Sequence, residues 1–506
     1  MFFHRSNPSI TIGTRGIYPF DWPFSFSLWP LCRFYRLTGD SLKLHHHIMG
    51  KSGQGKSFYV AKAVVDLISQ GVAVSVLDPH SDLANDVLRL LFEGGYFNRH
   101  GFEKVWYIDL SRRDRFLPFN MLKQYDGKGN LLPLDVISEN IKLVLQRFFP
   151  AMADGAAPVF ENIVQYAAIA LAANGLCLPL IEEFLTVPAF RAKVLANCSH
   201  FPTRNFFHNR FDHWPEKKRA EDIESTLNKI SIITLNEPIL YSLLQLENRL
   251  NFRYIIDNGI SVICNLGNLP ERAQKLAGCF YTVGYEQAAL SRGDMAPGKR
   301  RMHILAIDEF ASFSTPDGTA LSKMLSQTRK FNLFTWLIHQ TWEQLPESLQ
   351  AGIQNVGVEL YFGLGYQDSL RVSPLVGRPN PYHKKHEPRA LQGQSLPVEH
   401  NPVYFQQQEE QEAWTRRIED LWDREVFVKR KRKLPRLLQL WMKPHAKAKI
   451  RTLNVPHQTC SSEALQKIKD YYANTLMKTK AEIIQNTRNL TTHVLSQAAL
   501  STRGAF

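Results

Sequence analysis

The stretch from Gly50 to Ser57 limits what this chain can fold into more than any other, because it matches the pattern G-x-x-x-x-G-K-[ST]. Glycines in this pattern allow a tight turn whose backbone N–H groups face the phosphates of a nucleotide. Lys56 would reach the outer phosphates, and Ser57 would bind Mg²⁺. The residues predicted to bind ATP are Gly50, Gly53, Gln54, Gly55, Lys56 and Ser57. The alternative is a glycine-rich surface turn.

The context of the motif agrees with a phosphate-binding loop, which needs a buried strand before it and a helix after it. Residues 43–49 are short and compatible with a strand, and residues 58–68 carry apolar side chains at helical spacing before Gly71. The three consecutive histidines, 45–47, could suggest a metal site or a tag. Without an evident set of further ligands, we expect them to fill the strand.

Five further buried strands are predicted, alternating with helical segments, at 72–78, 105–110, 259–266, 303–309 and 331–338. This alternation indicates an α/β fold with a mainly parallel sheet covered by helices on both faces. The chain divides into an aromatic-rich N-terminal arm (1–42), an ATPase core (43–131 and 251–375), an all-helical insertion (132–250) and a basic C-terminal region (376–506).

The strand at 303–309 ends in two acids, Asp308 and Glu309. A nucleotide hydrolase needs one carboxylate to hold Mg²⁺, here Asp308, and another to orient or deprotonate the attacking water, here Glu309. Gln340 follows the next strand and could sense the γ-phosphate, or it could simply cap the strand. Arg329 could supply charge to the phosphates of a neighbouring subunit, or it could be a solvated arginine at a helix end.

The charge of the chain is concentrated at one end, because 16 of the 61 basic residues but only 3 of the 47 acidic residues lie from Lys429 to Phe506. Such a segment can bind nucleic acid or an anionic membrane, or it can be a solvated basic face. No apolar run reaches 18 residues, so no transmembrane helix is predicted. The aromatic stretch 17–35 contains three prolines, and we expect a capping arm there, with a membrane-interface segment as the alternative.

The order of these motifs resembles that of the HerA/FtsK superfamily of DNA-pumping ATPases, and within it the conjugative coupling proteins of type IV secretion (the TraG/TraD-like family). The resemblance covers roughly residues 43–365. It rests on the phosphate-binding loop and on residues 77–83, 307–310 and 329–340. It implies a RecA-like core that assembles as a homo-hexamer and binds ATP and Mg²⁺ between subunits. It also implies that Gln340 acts as the sensor and Arg329 as the arginine supplied in trans.

The resemblance further implies DNA as the load, moved through the channel of the ring, and membrane-associated secretion or relaxosome proteins as partners. Typical coupling proteins carry N-terminal membrane helices, and none is predicted here. We therefore expect a cytoplasmic location, with peripheral attachment to the inner membrane left open. Two alternatives remain open: a P-loop phosphotransferase acting on a small molecule, and a nucleotide-binding scaffold for secretion partners.

Overall fold

A computed structural model describes residues 8–15, 33–149, 157–314, 318–353, 356–377, 404–431, 445–454 and 458–501. The strands are β1 (Ser9–Arg15), β2 (Arg33–Thr38), β3 (His46–Met49), β4 (Ala73–Asp78), β5 (Val105–Asp109), β6 (Arg115–Phe116), β7 (Ser261–Asn265), β8 (His303–Ile307), β9 (Leu333–His339), β10 (Val358–Tyr361), β11 (Glu425–Lys431), β12 (His445–Thr452) and β13 (Lys478–Thr479).

The α-helices from the first half of the chain are α1 (Gly39–Leu42), α2 (Lys56–Ser69), α3 (Asp82–Glu93), α4 (Tyr96–His100), α5 (Leu134–Phe148), α6 (Pro158–Ala173), α7 (Ile181–Thr186), α8 (Pro188–Ala196), α9 (Phe201–Asn209), α10 (Glu216–Leu235), α11 (Glu237–Leu243) and α12 (Phe252–Asn258). Those from the second half are α13 (Glu271–Leu290), α14 (Thr319–Gln327), α15 (Glu347–Ile353), α16 (Tyr366–Val376), α17 (Gln407–Glu419), α18 (Ser462–Leu476) and α19 (Lys480–Ser501).

Eleven strands form one sheet in the order β2-β1-β12-β11-β10-β3-β9-β8-β4-β7-β5. The seven strands from β10 to β5 are parallel, and the four from β2 to β11 are antiparallel. Strands β3, β4, β7, β8, β9 and β10 are buried along their whole length, as strands covered on both faces must be. The predicted α/β fold with a mainly parallel sheet is confirmed.

The histidines before the phosphate-binding loop fill the sheet as predicted. His46 and His47 belong to β3, and His45 lies just before it, where its Nδ1 accepts a hydrogen bond of 2.9 Å from the Thr335 backbone N–H. The ring of His46 stacks on Trp336 at 4.9 Å between centroids. All three rings are buried, and burial lowers the pKa of His45 and of His46 to about 4. The side chains are therefore neutral packing elements.

The antiparallel strands at one side of the sheet come from both ends of the chain. Strands β11 and β12 belong to the basic C-terminal region, and β1, β2 and the parallel strand β10 were not predicted. Strands β1 and β12 approach each other closely at Gly13, where a Cβ would lie 2.0 Å from the Arg451 carbonyl oxygen. The C-terminal region thus continues the sheet that carries the phosphate-binding loop.

Between β6 and β7 the described residues form helices and isolated bridges but no strand. A buried ion pair ties this helical part to the core, because the guanidinium of Arg147 in α5 contacts the carboxylate of Glu286 in α13. Arg147 also donates a hydrogen bond of 3.1 Å to the Thr282 hydroxyl. The domain boundaries given above remain predictions.

The C-terminal region then crosses to the other side of the molecule. Glu93, at the end of α3, accepts hydrogen bonds from the backbone N–H groups of Thr459 (2.7 Å) and Cys460 (3.0 Å). Beyond them α18 packs beside β5, and β13 pairs with β6. No single helix among the described residues is long and apolar enough to cross a membrane; only the bent pair Pro158–Ala173 and Leu178–Thr186 meets the length and composition criteria jointly.

Candidate nucleotide-binding site

The phosphate-binding loop connects β3 to α2 at the carboxyl edge of the parallel strands. Gly53 and Gly55 have φ angles of 82° and 86°, in the left-handed region that glycine adopts without strain. Gly50 faces Phe362, and a Cβ at this position would lie 2.6 Å from the Phe362 Cβ. The predicted glycines are therefore required by the backbone conformation or by close packing.

Lys56 is the first residue of α2 and is buried. Its Nζ donates hydrogen bonds to the backbone carbonyls of Gly50 (3.3 Å) and His339 (3.2 Å) and lies 4.0 Å from the Glu309 carboxylate. Burial lowers the pKa of Lys56, and the negative charges of Asp308 and Glu309 oppose that shift. Phosphate oxygens can replace these carbonyl acceptors, because the ammonium group attracts a negatively charged acceptor more strongly than a neutral one. Ser57, the next residue, is partly exposed in the first turn of α2.

The acidic pair follows β8, which lies between β9 and β4 in the sheet. The Asp308 N–H donates to the Leu77 carbonyl at 3.0 Å, which anchors the pair to the end of β4. Asp308 and Glu309 are 6% and 7% exposed. Burial raises the pKa of Asp308 to about 7, assisted by the nearby carboxylate of Asp78.

Glu309 has a φ of 43° and a ψ of 46°, so its backbone is left-handed although it is not glycine. This conformation costs about 1 kcal/mol or more. It turns the chain at the end of β8 so that the Glu309 carboxylate approaches Lys56. The strained residue is thus one of the two predicted to act on the nucleotide.

Asp78, at the end of β4, has a structural role in this arrangement. Its two carboxylate oxygens accept 2.8 Å hydrogen bonds from the backbone N–H groups of His80 and Ala84 and so hold the start of α3. Burial raises the pKa of Asp78. Because both oxygens are engaged, the side chain contributes negative charge beside Asp308 rather than a free ligand.

Gln340 and Arg329 lie at opposite ends of β9. Gln340 directly follows His339, whose carbonyl accepts from Lys56, so it lies at the edge of the sheet that carries the loop. Arg329 is exposed in the turn before β9. The seven-residue strand separates them by ~20 Å at about 3.3 Å per residue. Arg329 therefore does not join the site within its own chain.

No motif marks the segment just before β11 as part of the site, yet this segment contacts the loop. The Gln54 amide nitrogen donates to the Asp423 carboxylate at 3.2 Å, and the Arg424 backbone N–H donates to the Gln54 carbonyl at 3.0 Å. Gln54 was predicted to contact the nucleotide, but in this structure its side chain is hydrogen-bonded to Asp423. These partners are 369 residues apart in sequence, and no local pattern signals such a contact.

The arrangement can hold a nucleoside triphosphate with Mg²⁺ and deliver water to it. It offers a loop of backbone N–H groups, one buried ammonium group, one hydroxyl and two carboxylates at a single sheet edge, and these are the groups that phosphoryl transfer to water requires.

No protein-family model matches the chain, and no curated protein matches its sequence. Among solved structures, the chain is similar to the bacterial conjugative coupling protein TrwB in its unbound form, with a TM-score of 0.55, 14% identity, and coverage of 83% of this chain and 88% of the other. It is also similar to TrwB bound to a non-hydrolysable GTP analogue, with a TM-score of 0.53, 14% identity, and coverage of 83% of this chain and 88% of the other. For TrwB bound to ADP and Mg²⁺, the TM-score is 0.50, the identity 14%, and the coverage 84% of this chain and 88% of the other. The chain therefore has the fold of a conjugative coupling protein, which confirms at the level of fold the resemblance that the motifs indicated.

Proposed function

We propose that this protein is an ATP-hydrolysing motor of the coupling-protein type, which drives DNA transfer in conjugation or a related type IV secretion process. The observation that carries the proposal is the convergence of Lys56 with the adjacent pair Asp308 and Glu309, from two stretches of sequence about 250 residues apart, at one edge of the parallel sheet. The shared fold supports it, since TrwB is a conjugative coupling protein solved with ADP and Mg²⁺.

Each group has a distinct role in this proposal. The loop amides and Lys56 bind the phosphates, and Ser57 and Asp308 hold Mg²⁺, which neutralises charge on the outer phosphates. Glu309 accepts the proton of the attacking water or orients it for in-line attack on the γ-phosphate. The Glu309 carboxylate at the sheet edge favours water over a small-molecule acceptor, and we therefore prefer hydrolysis to the phosphotransferase alternative.

We propose that Gln340 senses the γ-phosphate and that Arg329 acts on the nucleotide of a neighbouring subunit. The position of Arg329 supports a role in trans, because within one chain it lies at the wrong end of β9. A homo-hexameric ring would bring an exposed arginine of one subunit to the site of the next. Such an arrangement couples hydrolysis in one subunit to the position of its neighbour.

DNA is the proposed load, with secretion or relaxosome proteins as partners at the inner membrane. The basic C-terminal region supports DNA binding less strongly than its number of basic residues suggested. Several of its described lysines pair with carboxylates within the protein, for example Lys429 with Glu359, Lys449 with Glu425, Lys478 with Glu247 and Lys480 with Glu237. Of the basic run at 429–433, Arg432 and Lys433 lie outside the described residues.

The test is the rate of ATP hydrolysis at low salt with and without DNA. We expect DNA to stimulate hydrolysis and Lys56→Ala to abolish nucleotide binding. Glu309→Gln should keep ATP binding but lower the rate by roughly 10²–10⁴-fold, because the general base is lost. Absence of stimulation together with absence of DNA binding would remove nucleic acid from the proposal. Transfer of phosphate to a small molecule instead of water would replace hydrolysis by phosphotransfer.

A further inference from the structure

The segment from Trp422 to Arg424 lies against the phosphate-binding loop, although it belongs to the C-terminal region. Strand β11 runs antiparallel to β10, so the start of β11 lies at the same edge as the loop. Two hydrogen bonds join the segment to Gln54, one from the Gln54 side chain to Asp423 and one from the Arg424 N–H to the Gln54 carbonyl. The loop is therefore covered in cis by residues that no motif identifies.

The side chain of Arg424 packs directly on the loop. A Cβ at Gly55 would lie 2.8 Å from the Arg424 Cγ, so any larger residue at position 55 would displace the arginine. The carbon of the Arg424 guanidinium is three bonds beyond Cγ. Because Gly55 directly precedes Lys56, the guanidinium can reach a phosphate chain bound at Lys56. No ion pair joins it to a carboxylate among the described residues. Its charge is thus available to an anionic ligand.

The backbone of Arg424 is held in a conformation that arginine disfavours. Its φ is 68°, one of four positive values found for non-glycine residues in the described part of the chain. Another is that of Glu309, in the same site. The Arg424 carbonyl is fixed by the Thr452 N–H at 2.8 Å, and glycine would satisfy this geometry with less strain. Packing alone therefore does not explain an arginine at this position.

Trp422 lies in the same turn and exposes most of its ring. The Glu425 N–H donates to the Trp422 carbonyl at 2.8 Å, which closes the turn, while the Trp422 side chain is 78% exposed. Trp422 precedes by two residues the arginine that packs on the loop, and an exposed indole at such a place suits stacking on a nucleobase of any type.

We propose, building on the proposed function, that Trp422 and Arg424 form a cap in cis on the nucleotide. Arg424 binds the phosphate chain through its guanidinium, and Trp422 stacks on the base. The C-terminal region thereby senses whether the ATP site is occupied, because the same turn leads directly into β11. Stacking without hydrogen bonds to the base edge implies that purine nucleotides bind with similar affinity.

The test compares the binding of ATP and of inorganic tripolyphosphate by isothermal titration calorimetry, using the full-length chain. Arg424→Gly keeps the left-handed backbone and removes the guanidinium, so both ligands should bind about ten-fold more weakly. Trp422→Ala should weaken ATP by at least about five-fold and leave tripolyphosphate unchanged. The matched controls are Arg416→Ala and Phe201→Ala, at an exposed arginine and an exposed aromatic residue elsewhere, and these should change neither ligand.

The outcomes separate this proposal from the proposed function. Arg424→Gly should leave the melting temperature of the nucleotide-free protein unchanged or raised and should reduce the increase that ATP produces. If Arg424→Gly and Trp422→Ala bind ATP and tripolyphosphate with unchanged affinity while Lys56→Ala binds neither, the cap is overturned and the nucleotide site stands. A weaker tripolyphosphate affinity in Trp422→Ala would overturn the stacking role. Full binding in Lys56→Ala would overturn the proposed nucleotide site itself.

Discussion

At the scale of single residues, the site combines groups that could be predicted with groups that could not. Lys56 and Ser57 follow from a spaced motif, and Asp308 and Glu309 follow from a strand that ends in two acids. Arg424 has no such signal, because it reaches the loop only through the antiparallel pairing of β11 with β10. Motifs are local, whereas the cap is a product of sheet topology.

The protonation of Asp308 gives the first prediction. Since its pKa is raised to about 7, mainly by burial, a proton must leave before the carboxylate can hold Mg²⁺. We expect the Mg²⁺ affinity of the ATP complex to rise with pH up to about 7, by at most about ten-fold per pH unit, and to level off above it. Titration calorimetry in buffers of different ionisation enthalpy measures the proton released.

The matched variants for this prediction are Asp308→Asn and Asp66→Asn. Asp308→Asn should weaken Mg²⁺ binding and remove the part of the pH dependence that exceeds the titration of ATP itself. Asp66 pairs with Lys62 in α2, away from the loop, so Asp66→Asn should not change the Mg²⁺ affinity or its pH dependence. An unchanged pH profile in Asp308→Asn would show that Asp308 does not hold the metal.

At the scale of elements, periodicity and apolar runs predicted most of the parallel sheet. In the large sheet β1, β2 and β10 were not predicted, and β1 and β10 pair with strands distant in sequence, β12 and β3. The short strands β6 and β13 of the second sheet were not predicted either. Strand β10 is four residues long and places Glu359 beside Lys429, an ion pair that no single segment reveals. Strands β1 and β2 lie in the arm predicted to cap the core, and they instead extend its sheet. The aromatic residues between them lie outside the described residues.

The junction between α5 and α13 gives the second prediction. Arg147 and Glu286 are both 4% or less exposed and pair with each other. Arg147→Ala leaves a buried, unpaired carboxylate, so we expect the free energy of unfolding to fall by about 3–5 kcal/mol. Arg113→Ala removes an arginine from the exposed pair with Glu237 and should cost about 1 kcal/mol or less. Equal losses in urea denaturation would show that the buried pair does not hold the helical part to the core.

At the scale of the whole molecule, the concentration of positive charge could be counted from sequence but its use could not. The count predicted a binding surface, and the structure shows that several C-terminal lysines neutralise carboxylates within the fold. Likewise, the C-terminal region contacts both the phosphate-binding loop and α3, at Gln54 and Glu93. A charge total carries no information about which residues become neighbours.

Buried histidines give a prediction for the stability of the whole protein. Burial lowers the pKa of all five, to about 4 for His45 and His46 and to about 3 for His303 and His339. In acid the unfolded chain therefore binds protons at these side chains that the folded chain does not bind. Stability should therefore be lost as the pH falls below 6.5. The raised pKa values of Asp78 and Asp308 act in the opposite direction. The histidines concerned are His45, His46, His47, His303 and His339.

The five histidines also outnumber the carboxylates whose raised pKa opposes them, which include Asp368, so we expect a net loss of stability as the pH falls from 6 to 4. Urea denaturation at a series of pH values measures this loss. Stability that stays constant or rises from pH 6.5 to 4 would contradict the neutral, buried state of these side chains.

If ATP hydrolysis at Lys56 and Glu309 moves DNA, as we propose, the protein should displace the third strand of a DNA triplex. We predict displacement with ATP by the unaltered protein, and none with a non-hydrolysable analogue or with Glu309→Gln. Steady hydrolysis of ATP by protein bound to the triplex, with the third strand left in place, would show that hydrolysis does not move DNA.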